Sequence, residues 1–194
     1  YAYHKAQSDL PYYLSSDLKP SWPLWVSKND HTIPPFSLTN QKGEKIDQTF
    51  FTGHWTIVQF FFSRCQAVCP RITQNLQILL PLLKKDPQFQ ILSISLDPEY
   101  DTPDILSVYK PNKDISNWTY LTGPKKEIDE LAHQGFFVDE TLKVLVKGKG
   151  LMHTELIFIV DPQGHIRGMY DGQDKESIGQ IIEDLEGQSH PSRT

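Results

Sequence analysis

The stretch Phe60-Phe61-Phe62-Ser63-Arg64-Cys65-Gln66-Ala67-Val68-Cys69-Pro70-Arg71 constrains this chain most, because it holds both of its cysteines. The apolar run Ile57-Val58-Gln59-Phe60-Phe61-Phe62 leads in and reads as a buried strand. The amphipathic run from Ile72 through Leu83 leads out and reads as a helix. Pro70 suits the first helical turn, where a missing N–H costs nothing. The spacing therefore predicts a strand-to-helix turn with Cys69 at the helix N-cap and Cys65 in the loop before it.

Two thiols in such a turn have a specific chemistry. A near-helical turn keeps Cα atoms four residues apart within about 6 Å, which a disulfide can span. A helix N-terminus favours negative charge and lowers a thiol pKa by about one unit. One thiolate is then accessible at neutral pH, whereas two adjacent thiolates repel. The pair resolves this by oxidising or by binding a soft cation that deprotonates both sulfurs. On spacing alone, a structural disulfide, a redox pair and a metal site remain equal readings.

The rest of the composition bounds the answer. The chain has 194 residues, enough for one domain with a substantial core. Its formal charge is −5 with scattered basic residues, which argues against nucleic-acid binding. No apolar run approaches the roughly 20 residues of a membrane span. Tyr1 is not an initiator Met, so the chain reads as a processed or trimmed form without a signal peptide. Two cysteines are too few for a disulfide scaffold or a four-cysteine zinc site.

Taken in order, residues 1–35 read as an irregular arm rich in Pro, Tyr, Trp and Ser, partly packed on the domain through Tyr12, Tyr13, Trp22 and Trp25. A domain over 36–187 and a tail over 188–194 follow. Asn40-Gln41-Lys42-Gly43 predicts a type I turn between Phe36-Ser37-Leu38 and Lys45-Ile46-Asp47, and Phe51-Thr52-Gly53-His54 a second turn. Pro81 predicts a stop or kink in the helix that runs to Lys85. Phe89 to Leu96 reads as a strand, which completes a parallel βαβ unit. Thr102, Pro103 and Asp104 start a short helix. Asn117 to Leu121 is a strand, Lys125 to His133 a helix, and Thr141 to Val146 an alternating run. Lys147-Gly148-Lys149-Gly150 is a flexible link. Leu156 to Val160 and Ile166 to Tyr170 flank the turn Asp161-Pro162-Gln163-Gly164, and a helix over Ile178 to Leu185 closes the chain.

This order predicts an α/β protein, a thioredoxin-like fold with an N-terminal β-hairpin and insertions. In that fold the late hairpin strands run antiparallel to the strand feeding the cysteine turn. The start of the Leu156 strand then lies at the sheet edge of Cys65 and Cys69. Met152, His153 and Glu155 stand just before it.

The same residues resemble the SCO/SenC copper proteins involved in cytochrome c oxidase assembly. The likeness runs from about Leu10 to Leu185. It rests on Leu10-Pro11-Tyr12-Tyr13, the Phe-Ser-Leu-Thr-Asn within Ile33 to Gly43, and Phe62 through Pro70 with its CxxxCP. It continues in Leu96-Asp97-Pro98-Glu99-Tyr100-Asp101-Thr102-Pro103, Trp118 through Gly123, and His153-Thr154-Glu155-Leu156 through Gly164. The resemblance implies copper, Cu(I) or Cu(II), bound by Cys65, Cys69 and His153. It implies a metallochaperone serving the CuA site of cytochrome c oxidase subunit II or another copper acceptor. A copper donor and a thiol reductant are its other implied partners. It implies the periplasmic side of a bacterial envelope, membrane-anchored by a segment outside this chain, ahead of the mitochondrial intermembrane space as the lesser alternative. Met152 stands where many members carry Asp.

Ligand chemistry agrees. Two thiolates and one imidazole suit Cu(I), and the imidazole helps to hold Cu(II). The competing reading is a thiol–disulfide oxidoreductase with Cys65 and Cys69 as its redox pair. The CxxxC spacing, and the lack of proline between Pro124 and Pro162, weigh against it. A peroxiredoxin-like peroxidase ranks last, since the Phe-Ser-Arg-Cys context lacks PxxxTxxC. Asp97 reads equally as a strand-end ligand or a turn residue, Asp101 and Thr102 as helix-cap residues, and Met152 as a gap-filler. Arg64 and Arg71 read as solvated charges. His4, His31, His54, His133, His165 and His190 read as surface residues.

Overall fold

Seven consecutive buried residues, Trp55–Phe61, form the central strand β3 of a computed structural model that describes residues 10, 31–109, 116–138 and 155–189. A strand buried on both faces needs cover on both, and this one has it. Trp55, Ile57 and Phe61 belong to one apolar cluster, and Val58 and Phe60 to another. Around β3 the described residues build a seven-stranded sheet in the order β2-β1-β5-β4-β3-β6-β7. Its other strands are β1 (Ser37–Asn40), β2 (Lys45–Asp47), β4 (Phe89–Ser95), β5 (Trp118–Thr122), β6 (Leu156–Val160) and β7 (Ile166–Asp171). β4 pairs parallel to β3, as the βαβ reading requires, and β5 parallel to β4. β6 pairs antiparallel to β3. β7, antiparallel to β6, runs with β3 instead, so only the first of the two late strands opposes it.

The turns follow local chemistry. Asn40 Oδ1 accepts the N–H groups of Lys42 and Glu44, and Gly43 takes φ 82°, which joins β1 to β2. Gly164 does the same work after Asp161 at φ 85°. The cysteine helix is split: α1 (Val68–Leu76), a 3₁₀ turn (Gln77–Leu79), then α2 (Leu80–Lys85) with Pro81 in its first turn. Pro81 has no N–H to give Gln77 and would crowd that carbonyl, so the helix tightens there.

Helix α3 (Pro103–Tyr109) starts as expected, with Thr102 Oγ1 accepting the Ile105 N–H at 3.4 Å. Helix α4 (Lys125–Glu130) continues into a π-helical turn over Leu131–Gly135. The closing helix α5 (Lys175–Ser189) begins three residues before Ile178 because Asp174 caps it, accepting the N–H of Glu176 at 3.2 Å and of Ser177 at 3.1 Å.

Histidines read as surface residues have partners. His54 Nδ1 lies 2.9 Å from the Thr52 carbonyl. His31 Nε2 donates to the Gly135 carbonyl at 2.8 Å, with its ring 4.5 Å from that of Phe137. His165 lies 3.2 Å from the buried Asp161 carboxylate, which also accepts from Arg167 at 3.0 Å. Arg167 in turn donates to the carbonyl of Leu10, whose side chain is buried in the core. Thr141 to Val146 and Lys147 to Gly150 lie outside the described residues.

Candidate metal centre

β3 ends at Phe61, and the chain turns at once. The Cys65 N–H returns to the Phe62 carbonyl at 3.1 Å, and α1 begins at Val68. Cys69 is therefore not the N-cap. Ala67 takes that place without a side-chain bond, and Cys69 and Pro70 sit inside the first turn. The shift costs nothing, since the first four helical N–H groups lack intrahelical partners and Pro70 simply has none to orphan. The chain's two cysteines are both thiols, Cys65 half-buried and Cys69 only 2 % exposed. The Cys69 N–H points at Cys65 Sγ, 3.4 Å away.

Burial decides the electrostatics of Cys69. It pushes that thiol up to about 12, and the neighbouring Cys65 adds to the effect. Backbone N–H groups at the turn pull the other way but do not win. The expected lowering at a helix N-terminus is about one unit, smaller than the cost of a charge in the apolar cluster that Cys69 shares with Ile72 and Leu76. A soft cation or oxidation has to remove this proton.

The segment after β4 holds the turn in place, and the sequence reading missed it. Asp101 is fully buried and is no helix cap. Its carboxylate accepts the Ser63 N–H at 3.0 Å, the Ser63 hydroxyl, and the Ser95 hydroxyl at 2.5 Å. Asp101 thus ties the residue two before Cys65 to the end of β4. Asp97 has its carboxylate engaged by Arg64, whose Nε lies 3.1 Å away and whose guanidinium stacks on Tyr100 at 4.2 Å. Arg64 is accordingly a paired charge, and the bond to Asp97 raises its pKa further. The only signal for this pairing in the sequence is two acidic residues four apart after a strand, which is weak.

β6 opposes β3 through Gln59↔Ile157, so β6 starts at the end of the sheet where β3 delivers the cysteines. His153 and Met152 lie just before it, outside the described residues. Among the described residues, no three His, Cys, Asp or Glu side chains gather as a metal site. What the structure brings together is two soft sulfur donors at one sheet end, a set that fits a soft monovalent ion.

The SCO1/SenC family model matches residues 26–189. The SCO1 protein homolog of Bacillus subtilis is 30% identical over 168 residues, covering 82% of this chain and 84% of that protein. A SCO1/SenC family lipoprotein from Bacillus anthracis superposes with a TM-score of 0.72 at 27% identity, over 82% of this chain and 95% of that one. BsSco, a member of the Sco family of cytochrome c oxidase assembly proteins with a disulfide switch, gives 0.68 at 27%, over 84% and 95%. Bradyrhizobium japonicum ScoI, solved with copper bound, shares the fold at 0.62 and 24%, over 78% and 98%. No helix among the described residues is long and apolar enough to cross a membrane.

Proposed function

We propose, from the premise that this chain belongs to the SCO1/SenC family, that it is a copper metallochaperone in which Cys65, Cys69 and His153 hold the metal. The observation that carries the reading is the thiol pair itself: two unbridged cysteines with Cys69 N–H on Cys65 Sγ at 3.4 Å, at the sheet end where β6 begins. Thiolates supply the soft donors that Cu(I) prefers, and an imidazole suits Cu(II). Cys69 gives up its proton on loading, and Asp101 keeps the Cys65 loop in register with β4. We assign the copper to the CuA site of cytochrome c oxidase subunit II or another acceptor. A copper donor and a thiol reductant act upstream, and the site of action is the bacterial cell envelope, on an anchor outside this chain. BsSco supports the oxidase assignment and the Bacillus anthracis lipoprotein supports the envelope.

The test is copper stoichiometry. Reduced protein should take up one Cu(I) per chain and the disulfide form essentially none, because only thiolates bind. Equal uptake by both forms would sink the reading.

One observation favours a second reading, thiol–disulfide exchange by the same pair. Cys65 is half-buried beside a buried Cys69, the asymmetry of an attacking and a resolving thiol. Reduction of a cysteine-bearing acceptor peptide without copper would favour it.

A further inference from the structure

The chain entering β1 and helix α4 form a groove of about 370 Å³. Pro34, Pro35, Phe36 and Leu131 give it an apolar lining, and Glu127 and Glu130 add two carboxylates. The lining is held in place. Phe36 and Leu131 are buried in the core cluster beneath it. A Cβ on Gly135 would stand 3.0 Å from Leu131 Cδ1 and 3.2 Å from Pro34 Cδ, so this proline packs closely on the π-helical turn. The His31 bond to the Gly135 carbonyl pins the same stretch of chain at 2.8 Å. Each proline also fixes its own φ.

Glu127 and Glu130 lie one turn apart on α4, with Cβ atoms about 6 Å from each other. Among the described residues, Glu127 accepts the Ser37 N–H at 3.3 Å and meets no cation. Glu130 faces Lys126 at 3.7 Å across two exposed side chains, a contact of little strength.

The groove lies at the thiol end of the sheet. The row Phe60, Ile94, Leu121, Asn40 crosses from β3 to β1. β1 runs against β3, so Ser37 stands beyond that row on the side to which β3 delivers Cys65. Three strand spacings, about 14 Å, separate the two strands. Cys65 packs on one face of the sheet and Phe36 on the other.

We propose that this groove is a docking site for an arginine side chain of the protein partner that engages the thiols. An apolar lining with carboxylates matches a side chain with an apolar stem and a charged head. Arginine suits it better than lysine, because a planar fork can reach both carboxylates at once. A preformed groove loses little freedom on binding. The inference rests on the proposed function only in that copper transfer and thiol exchange alike bring a protein partner to this end of the sheet.

The experiment titrates the reduced, metal-free full chain with acetylated and amidated Gly-Leu-X-Leu-Gly peptides, where X is arginine, lysine or citrulline. Citrulline keeps the shape of arginine and removes its charge. The amide chemical shifts of Ser37, Glu127 and Leu131 read the binding. The arginine peptide should move all three saturably and bind at least about tenfold more tightly than the citrulline peptide, with lysine between them. Glu127→Gln keeps an oxygen for the Ser37 N–H and should bring the arginine peptide to within about threefold of the citrulline peptide. Glu99→Gln removes the same charge from an exposed residue outside the groove and should change the affinity by less than about twofold.

No saturable shift at the three amides overturns the inference, and so does equal affinity for the arginine and citrulline peptides. An equal loss in Glu99→Gln and Glu127→Gln, which would mean a response to net charge alone, does the same. Shifts of these amides on concentrating the protein without peptide would give the groove to a second copy and overturn it too. The copper reading is judged apart, on copper stoichiometry, since these titrations contain no metal.

Discussion

The Asp101 carboxylate accepts the backbone N–H of Ser63 at 3.0 Å, joining residues 38 apart in sequence. With the Arg64–Asp97 pair, it ties the Cys65 loop to the segment after β4. The same carboxylate bonds two serine hydroxyls, one from the loop and one from β4. An amide at this position would turn a donor toward at least one N–H or O–H group.

Asp101→Asn should therefore cost about 2–4 kcal/mol of stability, the scale of losing hydrogen bonds to a buried charge-bearing group. Denaturant unfolding reads the loss. Amide exchange at Ser63 and Cys65 should rise more than exchange in β7, which distinguishes a loosened loop from general destabilisation.

The two thiols should react in order. Cys65 is half-buried, while Cys69 is buried and its thiol sits at about 12. Limited treatment of metal-free reduced protein with iodoacetamide near pH 7.5 should label Cys65 first. Peptide mass spectrometry reads the order, and first labelling at Cys69 would contradict the burial argument.

The same shift has a sign in stability. The folded value of Cys69 lies above its ordinary 9.0. The contribution is thus fully present below about pH 9 and disappears as pH rises toward 12. Wild type should lose stability relative to Cys69→Ser between pH 9 and pH 11. Parallel pH curves for the two would refute the shift.

His31 works in the opposite direction. Burial holds its imidazole below the ordinary 6.5, against the raising effect of the Gly135 carbonyl and with the help of nearby His165. Its contribution is present above pH 6.5 and is lost as pH falls. His31→Gln, which can still donate to Gly135, should flatten the decline in stability between pH 7 and pH 5. An unchanged slope would place the acid sensitivity elsewhere.

His153→Ala should separate the ligands. Cu(II) prefers nitrogen alongside sulfur, whereas two thiolates suffice for Cu(I). Cu(II) affinity should fall by about tenfold or more while Cu(I) affinity changes far less, and Cys65→Ser or Cys69→Ser should abolish tight binding of both. Chelator competition on the three variants reads this, and unchanged Cu(II) affinity in His153→Ala would remove it from the site.

Much of this molecule was legible in local pattern. The apolar run into Phe61, the Asn40–Gly43 and Asp161–Gly164 turns and the Thr102-Pro103 helix start all depend on residues within about a helical turn of one another. Their interactions are carried by neighbouring backbone groups, so the chain itself states them, and the parallel β3–β4 pair follows from the connecting helix alone. The pairing of Cys65 with Cys69 is of the same kind.

Tertiary structure decided what depends on distant partners. His31 meets Gly135 across 104 residues, and Asn75 meets Gly172 across 97. Asp101 looked like a cap because it precedes one; only the folded chain brings Ser63, 38 residues away, onto its carboxylate. The charge of Cys69 shows the reason most directly. Position at a helix start is local and favours a thiolate weakly, whereas desolvation by Ile72, Leu76 and the strands behind them is collective and stronger. Hydrogen bonds reach about 3 Å and burial sums over every neighbour, so neither is written in the order of residues until the chain has folded.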